Sequence, residues 1–235
     1  VLRRFLRCHG SHSECNLRRA LAVSCNIYFQ TLMDRAGSFE SFVKTGRWLG
    51  FGQPTGLETE RATGYGNFPE DPAAWDKHQR LSAATGQGDL QVTPAQIARA
   101  YAALATGFLP KLHLVARIGD DRVPVTRTPL GFDERILAEV RAGLHGAVSP
   151  GGTAVGFGLH RFGVRCKTGT AMRNLRADEH DPLHNAWMAG FAEARKGKPP
   201  IAFAIVVLET PLSGPQACGP RLERFFESYY RERRE

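Results

Sequence analysis

The chain has 235 residues, a formal net charge of +8, 42% apolar and 23% charged residues. That balance supports a sizeable folded core and excludes a disordered or low-complexity protein. The longest purely apolar run, Ile201–Leu208, is eight residues, far short of the roughly 20 that a membrane-spanning helix needs. The chain opens on Val1 rather than Met, and Val1–Arg7 is basic with no apolar stretch behind it. No signal peptide is read there, and any anchoring or targeting segment is expected upstream. Basic residues are scattered, apart from Arg3–Arg4, Arg18–Arg19 and the closing Arg231–Arg234 stretch. With no zinc-finger spacing and no aromatic-basic motif, nucleic acid is not an expected partner and stands only as an alternative.

In chain order, the first feature is Cys8-His9-x-x-His12-x-x-Cys15, four soft ligands in eight residues. Tetrahedral metal sites usually draw paired ligands from two separated turns, so the string reads as a Cys/His-rich loop with no metal assigned. The other cysteines are Cys25, Cys166 and Cys218, and an odd, sparse set of five gives no disulfide framework. Asn16–Val23 reads as a short helix with Leu17, Ala20 and Leu21 on one face. Ile27–Ala36 reads as a second, stopped by Gly37. The polar Ser24-Cys25-Asn26 sits at the turn between them.

Phe39–Trp48 reads as another helix, and Gly50–Pro72, rich in Gly, Pro and Thr, as irregular. Thr93-Pro94 starts a helix with Thr as N-cap, running to Gly107. Leu112–Ile118 and Arg122–Thr126 read as a small hairpin, and Asp133–His145 as an amphipathic helix ending at Gly146. Three strands follow, Gly163–Met172, Asn185–Glu193 and Pro200–Glu209. The third is apolar on both faces, which predicts a central strand covered on both sides. Arg221–Arg231 closes the chain as a helix. Helices, then a sheet, then a helix returning onto it make an α+β plan, with a mainly helical part over 1–150 and a sheet part over 151–235.

Lys-Thr-Gly occurs twice. Lys44-Thr45-Gly46 lies inside a helical pattern and reads as helix surface. Lys167-Thr168-Gly169, followed by Thr170-Ala171, ends a predicted strand. Glycine there lets a ligand backbone approach, while the lysine and hydroxyls can hold a carboxylate. Taken with Ser24-x-Asn26, this pattern resembles the transpeptidase domain of a class B penicillin-binding protein. That family uses Ser-x-x-Lys, Ser-x-Asn (or Asp) and Lys-(Thr/Ser)-Gly in chain order. Supporting matches are Cys8-His9-Gly10 with Leu17–Phe29, Phe51–Gly56 with Glu60 and Gly64, Gly86-Gln87-Gly88, Val92–Tyr101, Gly152-Thr153-Ala154 and Ala186–Phe191. The Ser-Cys-Asn form and the Gly-Gln-Gly stretch resemble the elongation (cell-shape) type.

Residues 1–23 contain no Ser-x-x-Lys. Ser41-Phe-Val-Lys44 has the right letters but follows Ser24, so it reads as a decoy, and this chain is expected to lack the nucleophile. Cys166 stands where the family usually has glycine; a buried, inert thiol is the reading taken over a reactive one. Asn185 replaces a frequent histidine, and Met172 a commoner polar residue.

The resemblance implies an α+β fold of the penicillin-binding-protein/serine β-lactamase kind, an antiparallel sheet flanked by helices plus a helical subdomain. It implies acyl transfer through a serine ester, cross-linking D-Ala-D-Ala stem peptides of peptidoglycan. Ser24 would relay a proton, Asn26 would orient the substrate amide, and Lys167 would supply positive charge. Thr168 and Thr170 would bind the carboxylate beside Gly169, with the Thr170 N–H as half of an oxyanion hole. No cofactor is implied. Stem peptides, β-lactams and a glycan-polymerising synthase are the implied partners, at the periplasmic face of the inner membrane through an anchor outside this chain. A D,D-carboxypeptidase, a serine β-lactamase, a β-lactam sensor or a non-catalytic docking remnant are the alternatives.

Overall fold

In the computed structural model the described residues are 8, 10, 12–57, 65–172, 183–195 and 197–231. His9, Glu60, Gly64, Val1–Arg7 and residues 232–234, singled out above, lie outside them. Three antiparallel strands form the main sheet in the order β5 (Val164–Met172), β6 (His184–Ala192), β7 (Ile201–Thr210). The sequence predicts β7 at the centre. Among the described residues it lies at the edge, and β6 is the central strand. The apolar run reflects cover on both faces rather than pairing on both sides, because helices α7 (Gly214–Tyr229) and α5 (Pro94–Thr106) both pack on β7.

Strand alternation explains the two faces. Val164 and Cys166 of β5, Ala186 and Met188 of β6 and Phe203 of β7 share one buried cluster with Ala217, Cys218, Leu222 and Phe226 of α7. On the other face, which carries Ala189 and Phe191 of β6 and Ala202 and Ala204 of β7 by alternation, α5 approaches β6 and β7. Helix α6 (Glu134–Gly146) lies against β5 and, on its other side, against α1 (Leu17–Ala22).

Most helix starts follow local chemistry. At α5, Thr93 Oγ1 accepts from the Gln96 N–H at 3.2 Å and Gln96 Oε1 accepts from the Thr93 N–H at 3.0 Å, a reciprocal cap. Gln96 is buried, and its Nε2 donates to the carbonyls of Gln53 and Tyr65. Helix α2 spans Asn26–Met33 and α3 Ser38–Trp48. Helix α4, Lys77–Ala83, carries a second reciprocal cap through Asp76 and Gln79 and is absent from the sequence reading. The predicted hairpin exists but is short. β2 (Arg117–Ile118) pairs with β3 (Asp121–Arg122), while β1 (Phe108–Pro110) pairs with β4 (Arg127–Pro129) outside the predicted limits.

The predicted closing helix begins at Arg221, yet α7 begins at Gly214. Gly214, Pro215, Gly219 and Pro220 hide its first turns from a reading of propensity. Packing supplies the reason. A Cβ on Gly214 would lie 2.2 Å from the Gly169 carbonyl oxygen and 2.7 Å from that of Trp187, and one on Gly219 would meet the Phe157 ring at 2.5 Å. Proline at the helix start costs no intrahelical bond. Gly214→Ala should therefore destabilise the fold by about 1–3 kcal/mol, read by urea denaturation. Arg224→Ala, at an exposed position of the same helix, should stay within about 0.5 kcal/mol of the parent.

Candidate active site

The site forms where α1 meets α2 and the end of β5 passes beneath. Helix α1 ends at Ala22, and Ser24 turns the chain with φ +54°, in the left-handed region. That conformation costs a residue with a side chain about 1–3 kcal/mol. The Cys25 N–H donates to the Ala20 carbonyl at 2.9 Å, and α2 starts at Asn26 with Cys25 as its cap residue. Helix α1 is held by close contact with α6, since a Cβ on Gly143 would strike Leu21 at 2.6 Å and one on Gly146 would strike Ala22 at 2.8 Å. The Thr153 N–H donates to the Ala22 carbonyl at 3.2 Å and ties the α6–β5 connection to the same helix end.

Lys167 reaches this turn from β5. Its Nζ donates to Ser24 Oγ at 2.7 Å and to the Thr168 carbonyl at 2.9 Å. Burial penalises the ammonium form and lowers the Lys167 pKa to about 8. Thr168 is buried, and its hydroxyl donates to Thr153 Oγ1 at 2.8 Å. Thr170 Oγ1 accepts from the Gly214 N–H at 3.0 Å, which leaves its own proton to donate. Asn26 follows Ser24 on the first turn of α2, and its N–H donates to Cys8 Sγ at 3.1 Å.

Two residues at the site have no role in the sequence reading. Thr153 is part of a quoted match only, and its pairing with Thr168 is a tertiary fact. Gln87 Nε2 donates to the Thr170 carbonyl at 2.9 Å, and its Oε1 accepts from the Met172 N–H at 3.1 Å. The Gly86-Gln87-Gly88 string is the available signal.

The Ser-x-x-Lys string and the first Lys-Thr-Gly both lie on α3. Ser41 and Lys44 are exposed on α3, with Lys44 Nζ over the Trp48 ring at 4.9 Å. Gly46 of the first Lys-Thr-Gly is buried under Phe68, where a Cβ would meet the ring at 2.2 Å.

The Cys/His string is regrouped. Cys8 Sγ lies 3.4 Å from His12 Nδ1 and 3.7 Å from Cys25 Sγ, and ligand atoms of the three residues all fall within 4.8 Å of one another. Two thiols and an imidazole are donors of the kind zinc takes. Cys25, from the Ser24–Asn26 turn, joins a set that sequence spacing confines to residues 8–15. Cys15 lines the same cavity of about 300 Å3, which does not reach Ser24 or Lys167. Desolvation raises the Cys25 thiol pKa. It pushes that of Cys166, fully buried under α7, to about 12. The inert reading of Cys166 fits this burial.

Residues 5–225 match the penicillin binding protein transpeptidase domain family. The chain is 27% identical over 219 residues to the peptidoglycan D,D-transpeptidase MrdA of Acinetobacter baumannii, covering 83% of this chain and 32% of that protein. It is 29% identical over 208 residues to the peptidoglycan D,D-transpeptidase FtsI of Escherichia coli K12, covering 88% and 32%. It thus spans about a third of the length of these curated relatives. A chain of a solved peptidoglycan synthase complex that coordinates polymerization and crosslinking superposes with TM-score 0.75 at 32% identity, over 92% of this chain and 37% of that one. Penicillin-binding protein 2 of Helicobacter pylori, in complex with MreC, shares the fold at TM-score 0.74 and 24% identity, over 93% and 40%.

Two measurements check the site chemistry. The folded chain releases the Lys167 proton near pH 8, whereas the unfolded chain holds it to its ordinary value of 10.5. Burial of the charged lysine therefore opposes folding below pH 8, and that penalty is relieved between pH 8 and 10.5. With 13C-labelled lysine, one Cε resonance should titrate near pH 8 and vanish in Lys167→Met. In native alkylation with iodoacetamide at pH 8, Cys166 and Cys218, both buried, should be modified only after denaturation, as read by peptide mass spectrometry.

Proposed function

The chain belongs to the class B penicillin-binding protein transpeptidase family, and on that premise we propose that it forms the part of a serine D,D-transpeptidase that manages protons and holds the acyl donor in peptidoglycan cross-linking. The observation that carries the reading is the 2.7 Å bond from Lys167 Nζ to Ser24 Oγ. A hydroxyl that accepts from an ammonium keeps its own proton free to donate. Ser24 is thereby suited to pass a proton to the nitrogen that departs when a serine ester forms. Lys167, with a pKa of about 8, exchanges protons near neutrality and supplies positive charge beside a substrate carboxylate.

Around this pair, Asn26 orients the amide of the donor stem peptide, and the Thr168 and Thr170 hydroxyls bind its terminal carboxylate next to Gly169. Thr153, bonded to Thr168, adds a hydroxyl to that cluster. The Thr170 N–H is one half of the oxyanion hole. The nucleophilic serine with its lysine comes from sequence outside residues 1–235, so this chain alone is inactive and is not acylated. Ser24-Cys25-Asn26 and Gly86-Gln87-Gly88 favour the elongation type. A glycan-polymerising synthase is the proposed partner, at the periplasmic face of the inner membrane through an anchor outside this chain. Among the described residues no helix is long and apolar enough to cross a membrane.

In the full-length protein, Ser24→Ala should slow acylation by a fluorescent penicillin about 10²–10⁴-fold, the range for loss of a positioned proton-transfer group. Acylation at the parental rate would refute the relay. Intact-mass analysis of the 235-residue chain after incubation with penicillin should show no adduct. An adduct on Ser41 or any other serine would overturn the assignment of the nucleophile.

A further inference from the structure

Gly169 stands in the middle of the reactive strand without a packing need for glycine on its inner side, since a Cβ there would meet Trp187 only at 3.4 Å, an ordinary contact. Its effect is conformational freedom, and freedom on either side of the 169–170 peptide is a liability for whatever that peptide's N–H must do. The structure restrains both neighbouring peptides. On one side Lys167 Nζ bonds the Thr168 carbonyl at 2.9 Å. On the other, the Gln87 carboxamide bonds the Thr170 carbonyl at 2.9 Å and the Met172 N–H at 3.1 Å, holding the two peptide units that follow Thr170.

In an extended strand the N–H and C=O of one residue point the same way, and successive residues alternate. The contact between Gln87 and the Thr170 carbonyl therefore shows that the Thr170 N–H also points out of the sheet edge, away from β6. Gln87 itself is well moored. Its N–H donates to the Ser82 carbonyl at 3.0 Å, and Asn67 Nδ2 and Gln79 Nε2 hold the carbonyl and carboxylate of Asp89 at 2.8 Å each. Gly86 and Gly88, at φ +70° and +75°, set the turns on either side. One amide thus spends both its donor and its acceptor on a strand 83 residues away, with its base fixed to a different part of the fold.

We propose that Gln87 is a positioning residue that aims the Thr170 N–H at the acyl oxygen by clamping the peptides on the far side of Gly169. The proposal rests on the transpeptidase reading above for what the N–H does, but the clamp itself has an independent readout. Gln87→Ala removes both bonds. Gln87→Glu keeps the shape and the acceptor for Met172 but cannot donate to the Thr170 carbonyl while ionised.

The test uses the full-length protein with a fluorescent penicillin, separating the acylation rate constant from the dissociation constant of the preceding complex. Both variants should acylate about 10-fold or more slowly, short of the 10²–10³ lost with an oxyanion donor outright. The dissociation constant should stay within about threefold and the melting temperature should be unchanged. Equal loss in both constants, or a fall in melting temperature that tracks the loss, would make Gln87 a structural residue and overturn the proposal, as would parental acylation. Hydrogen exchange followed by mass spectrometry over 168–172 should show faster exchange in Gln87→Ala. Unchanged exchange would refute the clamp whether or not the parent is acylated. A parent that takes no penicillin while Gln87→Ala exchanges faster would sink the transpeptidase reading, and with it the oxyanion role given to Thr170.

Discussion

The hydrogen bond between Lys167 and Ser24 joins residues 143 positions apart, and much of the architecture is needed to make it. A lysine on a strand can meet a serine on a helix turn only if the turn is held at a fixed height above the strand. Gly143 and Gly146 let α1 lie against α6 at a distance that any side chain would forbid. The Thr153 N–H then pins the end of α1 to the segment leading into β5. On the strand's side, pairing with β6 and packing of α7 fix where Lys167 leaves the sheet. The exposed ion pair Arg18–Glu139 lies along the α1–α6 contact, but such pairs contribute only about 0–1 kcal/mol. Steric fit does most of the placing.

The strand β5 divides its chemistry by direction. One face sends Val164 and Cys166 into the apolar cluster under α7. Further along, that face presents the hydroxyls of Thr168 and Thr170, bonded to Thr153 and Gly214. The other face sends Lys167 to Ser24. The outer edge carries backbone groups, and two of its carbonyls, Thr168 and Thr170, are already taken by Lys167 and Gln87. Between them the edge presents one N–H, that of Thr170, because the Met172 N–H beyond is bonded to Gln87.

Local features are legible in the sequence. Thr93-Pro94 with Gln96 encodes its own helix start, and the helical setting of Lys44-Thr45-Gly46 separates it from the strand-borne copy. What is illegible is set by partners distant in sequence. Gly214 and Gly219 look like helix breakers until the Gly169 carbonyl and the Phe157 ring are seen against them. The apolar run in β7 records two covering helices, which sequence cannot distinguish from a central place in the sheet. Cys25 reads as a spacer between Ser24 and Asn26, yet its sulfur meets Cys8 and His12. Thr153 and Gln87 are visible as matched letters, and only the fold shows that each meets β5.

Two costs of folding fall on the same junction. Ser24 adopts a left-handed backbone that glycine would accept without penalty, and Lys167 is desolvated enough to lower its pKa to about 8. Neither is explained by stability. Glycine at 24 would relieve the backbone but remove the hydroxyl that Lys167 donates to, leaving the desolvated amine one acceptor fewer. An apolar residue at 167 would remove the desolvation cost but leave Ser24 without its ammonium. The two costs thus fall on the two partners of one hydrogen bond, a coincidence that the proposed proton relay requires and that packing alone does not.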